Sequence, residues 1–112
     1  MRLLITGDDE SGEQMITKTE VDPRYIIDLV AGYYSVKPDD MLEMRRDQLT
    51  KEARQVSIYL ICLYTNKTQA EVSQIFGTST ADMAHRAFNN IGTLIVTDDD
   101  MACNIRELKG MI

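Results

Sequence analysis

The segment from Thr68 to Ile91 reads T-Q-A-E-V-S-Q-I-F-G-T-S-T-A-D-M-A-H-R-A-F-N-N-I, and it constrains the fold more than any other part of the chain. Two short stretches with helical spacing are separated here by a single glycine, Gly77. Two helices that cross steeply over a tight turn need a small residue at the crossing, a turn residue that tolerates positive φ, and apolar side chains in the angle between them. Ser73, Gly77 and the set Val72, Ile75, Phe76 and Met83 meet those needs. Thr68 with Glu71 forms a capping-box pattern at the start of the first helix, and Ser79 with Asp82 predicts a second box at the start of the next. The pattern is that of a helix-turn-helix, which implies double-stranded DNA as the partner.

The flanking sequence is helical throughout. Asp22 and Pro23 suit the N-cap and first helical positions, and Tyr25, Ile26, Leu29, Val30 and Tyr33 follow at helical spacing. Ser35 to Pro38 interrupts that helix, and Pro38 opens a short second one carrying Met41, Leu42 and Met44. Residues 45–48 read as a charged loop. A third helix is predicted over 50–64, with Ala53, Val56, Ser57, Leu60, Ile61 and Tyr64 as its apolar stripe and Lys51 and Arg54 on another face. The fourth is predicted over 69–76. The fifth, over about 80–96, should bury Met83, Ala84, Ala87, Ile91 and Leu94, with Phe88 at its edge. The last carries Met101, Ile105, Leu108 and Ile112 after a cap within 97–100. Residues 1–20 read as a flexible acidic tail or a short strand, an arm that packs on a partner. The expectation is one all-α domain of five to six helices over 21–112.

Charge bears on the partner. The 112-residue chain has a net charge of −6, which counts against generic DNA binding. The distribution softens that objection: residues 45–86 hold six cations and four anions, a balance of +2, which leaves −8 for the rest, although charges so placed are also those of an ordinary solvated surface. The middle of the chain therefore presents a local basic face. The two cysteines, Cys62 and Cys103, lie far apart in no metal-like spacing, and Cys62 sits in an apolar run as a buried small hydrophobe. A reduced, cytoplasmic protein is expected. No apolar run approaches the roughly 20 residues of a membrane span. His85 is the sole histidine, without a cluster that makes a metal ligand set. No catalytic constellation and no Gly-rich phosphate loop is visible, so neither an enzyme, a cofactor nor a small-molecule substrate is expected.

The second helix of a helix-turn-helix turns its N-terminal residues to the major groove. Here those are Ser79, Thr80, Ala81 and Asp82, then His85 and Arg86 one turn on. Thr80 suits a base or a phosphate, Ala81 a thymine methyl, and Arg86 a guanine or a phosphate. Asp82 either accepts from cytosine or serves only the helix cap. A single motif reads a short site, so a homodimer or a protein partner is expected to add affinity. The alternative is a protein-interaction module of the same fold that has lost DNA reading and binds an initiator or regulator, with Leu3, Leu4 and Ile5 as an apolar contact.

Beyond the motif, the stretches I-I-D-L-V-A-G-Y-Y-S-V-K-P-D-D-M-L, A-R-Q-V-S-I-Y-L (residues 53–60) and T-N-K-T-Q-A-E-V-S-Q-I-F-G lie in this order between Val21 and Gly77. The chain resembles, over about residues 21–111, the C-terminal DNA-binding domain of the bacterial replication initiator DnaA. The resemblance implies a Trp-repressor-like fold. It also implies that Arg46 enters the minor groove. It implies that Arg54, Gln55 and Lys67 hold the phosphate backbone, with Thr68 and Gln69 turned to phosphate at a helix start; Arg45 and Lys51, basic residues of the same region, are expected to contact phosphate as well. After F-G the family continues G-R-D-H-S/T-T-V, whereas this chain has T-S-T-A-D-M-A. Reading of the family's origin sequence does not carry over.

Overall fold

The computed structural model describes residues 21–43, 45–78 and 80–112. The expectations for 1–20, including the Leu3–Ile5 contact, and those for Met44 and Ser79 lie outside the described residues.

Among the described residues the chain is all-α: α1 (Pro23–Tyr34), α2 (Pro38–Leu42), α3 (Gln48–Tyr64), α4 (Gln69–Ile75), α5 (Asp82–Thr97) and α6 (Asp99–Met111). Each boundary has a chemical cause. The Asp22 carboxylate accepts the Arg24 N–H at 2.9 Å and Pro23 fills the first helical position. Ser35 ends α1 in the left-handed region at φ 58. Asp47 caps α3 by accepting both the amide and the hydroxyl of Thr50, at 3.1 and 2.8 Å. That cap starts α3 two residues earlier than the apolar stripe predicts. Asp98 caps α6 through the amides of Asp100 and Met101.

Helix α3 is the centre of the molecule and packs against α1, α2, α4 and α5; α6 closes the structure against α5 and α1. Ala53, Val56, Leu60 and Ile61 of α3 are buried, as their spacing predicts, with Ile26, Ile27 and Val30 of α1 and Ile91 of α5. Met101, Ile105 and Leu108 bury the inner face of α6. Burial of a side chain of this size contributes roughly 1.5–3 kcal/mol. Cys62 is only half-buried, less than its apolar run predicts. Hydroxyls stitch the outer helices on: Tyr34 donates to Glu52 at 2.8 Å, Tyr33 to Asn104 at 3.0 Å, and Tyr25 to the carbonyl of Met111 at 3.2 Å.

Candidate nucleic-acid interface

Helices α4 and α5 form the helix-turn-helix around Ser73 and Gly77. Gly77 adopts φ +91, a conformation side-chain-bearing residues rarely take, so the turn needs glycine at this point. Phe76 is buried under the turn. The capping box at α4 is complete: the Thr68 hydroxyl accepts the Glu71 N–H at 3.1 Å, and Glu71 accepts the Thr68 N–H at 2.8 Å. The Thr68 N–H thereby holds the Glu71 carboxyl below its usual pKa range.

The start of α5 differs from the expected second box. Asp82 is the first helical residue, Ala81 occupies the N-cap place, and no side-chain cap bond is made from it. The expected box partner of Asp82, Ser79, lies outside the described residues. The acceptor comes from the other helix. Ser73 is fully buried, and its hydroxyl accepts the Ala84 N–H at 3.1 Å. The Ser73 carbonyl also accepts the amides of Phe76 and Thr78, at 3.0 and 3.1 Å. The residue read from the sequence as merely small is also the link between the two helices, and spacing alone carries no signal for that.

Of the residues expected to read bases, Thr80, Asp82, His85 and Arg86 are exposed and Ala81 is half-buried. Asp82, His85 and Arg86 share one face of α5 by their spacing. The His85 ring nitrogen Nε2 lies 3.1 Å from the Asn89 amide nitrogen, and Arg86 Nε reaches the Asp82 carbonyl at 3.4 Å.

The basic residues divide into two groups. Arg45, Arg46, Lys51 and Arg54 line one concavity of about 450 Å³ between the α2–α3 loop and α3. Lys51 and Arg54 also line an adjoining one of about 280 Å³ with Gln55, Ile58, Met83, Arg86 and Ala87. The cations of the loop, the first turns of α3 and the first turns of α5 are thus contiguous. Lys67 stands apart, past the far end of α3, in a concavity with Val21, Asp22, Pro23, Thr65, Asn66 and Glu71. At 1.5 Å per residue, the 13 residues from Lys51 to the end of α3 separate the two groups by about 20 Å.

Within the first group the side chains are not equivalent. Arg46 is exposed and makes no ion pair among the described residues. Arg45 lies 3.4 Å from Asp47 and 3.9 Å from Asp40, exposed pairs of the kind worth little in water. Arg54 departs from the expectation of a cation on the polar face. It is only 6% exposed, its Nε donates to the Met41 carbonyl at 3.1 Å, and its Nη2 donates to the Arg45 carbonyl. Burial pulls its pKa down, and Asp47 opposes the shift. Gln55 is held as well, accepting from Asn90 of α5 at 2.8 Å. Asn90 was not singled out by spacing, because a polar residue on a helix carries no mark of the helix it will face.

Compared with known families, residues 23–91 match the model described as the bacterial DnaA protein helix-turn-helix. The chain belongs to the bacterial DnaA helix-turn-helix family. The matched span of this DnaA-type chain takes in the α2–α3 loop, α3, the α4–α5 turn and α5 as far as its buried Ile91. Among individual proteins it is 30% identical over 96 residues to the chromosomal replication initiator protein DnaA of Zymomonas mobilis, which is 86% of this chain and 19% of that protein. It is 30% identical to that of Bartonella quintana over 83 residues, 74% of this chain and 17% of the relative. With that of Aliarcobacter butzleri it shares 26% over 96 residues, 86% of this chain and 22% of the relative. The DnaA-type chain therefore spans about a fifth of the length of these relatives.

Proposed function

We propose that this chain binds double-stranded DNA with a sequence preference, through its helix-turn-helix, in the initiation of replication for which its relatives are named. The observation that carries the reading is the contiguous cation-lined face running from the α2–α3 loop across α3 to the exposed start of α5. An electropositive strip beside an exposed helix N-terminus suits a duplex, whose phosphates flank the groove that the helix enters.

On this reading Thr80, Ala81, Asp82, His85 and Arg86 face base edges in the major groove, with Ser79 beside them. Arg46 enters the minor groove, and Arg45 and Lys51 neutralise phosphates. Lys67, Thr68 and Gln69 form a second phosphate contact about 20 Å away. The Thr68 hydroxyl proton is available for this even while its oxygen accepts from Glu71. The exposed Asp82 carboxylate suits acceptance from a cytosine amino group, while it repels phosphate. A homodimer or partner protein supplies the additional affinity that a single motif lacks.

The test is a fluorescence-anisotropy titration against random and selected duplexes over a salt series. With roughly three phosphates neutralised, log K should fall with log salt at a slope of about −3. Arg46→Ala should weaken binding to all sequences, and Arg86→Ala should relax the preference at one base pair, by about 1–3 kcal/mol. Absence of binding at micromolar protein and low salt would replace this reading with the protein-interaction module.

A further inference from the structure

The residues between α2 and α3 carry Arg45 and Arg46, both exposed, on a backbone with few ties of its own among the described residues. The Arg45 N–H reaches the Asp40 carbonyl at 3.1 Å, and the Lys51 N–H reaches back to Asp47 at 3.0 Å. Carbonyls in the last turn of a helix lose their intrahelical donors and need others. Met41, in the last turn of α2, is buried, and its carbonyl accepts from Arg54 Nε. The same guanidinium reaches the Arg45 carbonyl through Nη2. One planar group on the rigid helix α3 thus holds both ends of the turn that aims Arg46. Arg54 lies 13 residues from one carbonyl and nine from the other, so the tie is tertiary.

We infer that Arg54 is a positioning residue: it clamps the α2–α3 loop so that Arg45 and Arg46 face DNA, and it is not itself a phosphate ligand. The inference rests on the DNA-binding reading and revises the phosphate role that the family resemblance implies for this arginine. A guanidinium offers five N–H donors in a fixed fork, whereas a lysine ammonium is a point donor on a flexible stem and cannot hold two carbonyls in the same way. The clamp is charge-independent in purpose: it spends hydrogen bonds on the backbone rather than charge on an anion.

A double-mutant cycle on DNA affinity separates the two roles. Arg54→Lys keeps the charge and loses the fork, and should weaken binding about tenfold in the parent chain but less than about twofold when Arg46 and Arg45 are already alanine, because contacting or coupled residues are non-additive. An equal loss in both backgrounds would make Arg54 an independent phosphate contact and overturn the inference. Circular dichroism establishes that each variant is folded. If Arg54→Lys does not fold, nuclear magnetic resonance of the parent chain decides. The Arg54 Nε–H should exchange slowly in the free protein and keep its chemical shift when duplex is added, while the Arg46 side chain shifts. Fast exchange in the free protein, or a large Arg54 shift on DNA, would overturn the clamp. Exchange in the free protein is independent of DNA, so failure of the clamp is distinguishable from failure of DNA binding.

Discussion

The two helices of the helix-turn-helix begin in different ways. Helix α4 is capped from its own sequence, by Thr68 and Glu71 three residues apart. Helix α5 has alanine at its N-cap and takes an acceptor from Ser73, eleven residues away on α4. The first device stabilises one helix whether or not the other is present. The second exists only when the two have crossed, so the start of the helix that faces DNA is ordered by the crossing itself. Forming the motif and presenting its reader residues are then one event.

The largest effect that can test this contrast is Ser73→Ala. It preserves the small side chain at the crossing but leaves the buried Ala84 N–H without its acceptor, and should destabilise the fold by about 2 kcal/mol in urea unfolding. Gly77→Ala should come next, at about 1–2 kcal/mol, because alanine is strained at φ +91 although a Cβ there meets nothing within 4 Å. Asparagine at the same position should recover part of the loss, as it tolerates the left-handed region better. Thr68→Ala should lower stability by about 1 kcal/mol and speed amide exchange within α4 while leaving the first turn of α5 protected. If Thr68→Ala proved more damaging than Ser73→Ala, or if it opened α5, the contrast between a local and a tertiary cap would collapse.

The smallest expected effect concerns charge at the α4 cap. Hydrogen bonding from the Thr68 amide depresses the Glu71 pKa in the folded state. A depressed carboxyl pKa stabilises the fold at pH values above the unfolded pKa, and that contribution fades as pH falls through the folded one. Glutamine can still complete a capping box, so Glu71→Gln isolates the charge. The stability gap between parent and Glu71→Gln should be small at neutral pH and should close on acidification below the ordinary glutamate range, measured by thermal unfolding at a series of pH values. A gap that does not change with pH would show that the charge contributes nothing there.

The elements were legible in the sequence to within a few residues. The limits of α1 follow from Asp22–Pro23 and the Ser35 break. The stripe of α3 fell on the buried face, and Met101, Ile105 and Leu108 did the same for α6. Met83 and Leu94, expected to be buried, are only half-buried, as is Cys62; two further errors are of one kind. Ser79 and Asp82 suggested a local cap by pattern, yet α5 starts at Asp82. Arg54 fell on a polar face of α3 by spacing, yet α2 and its loop fold over that face and bury it. Both readings assumed that the nearest residues in sequence, or water, would satisfy a polar group.

By itself the sequence determined the helices, the turn at Gly77, the α4 cap and the membership of the DnaA-type family. These rest on interactions within about one helical turn, on residue types that few backbone conformations accept, and on motif spacing. Only the tertiary structure decided which donor caps α5, that Arg54 is held by the Met41 and Arg45 carbonyls, and that the loop, α3 and α5 pool their cations while Lys67 lies apart. The hydrogen-bonded partners in those arrangements are nine or more residues apart in the chain. Helical periodicity assigns a residue to a face, but the neighbour that covers the face is chosen by packing.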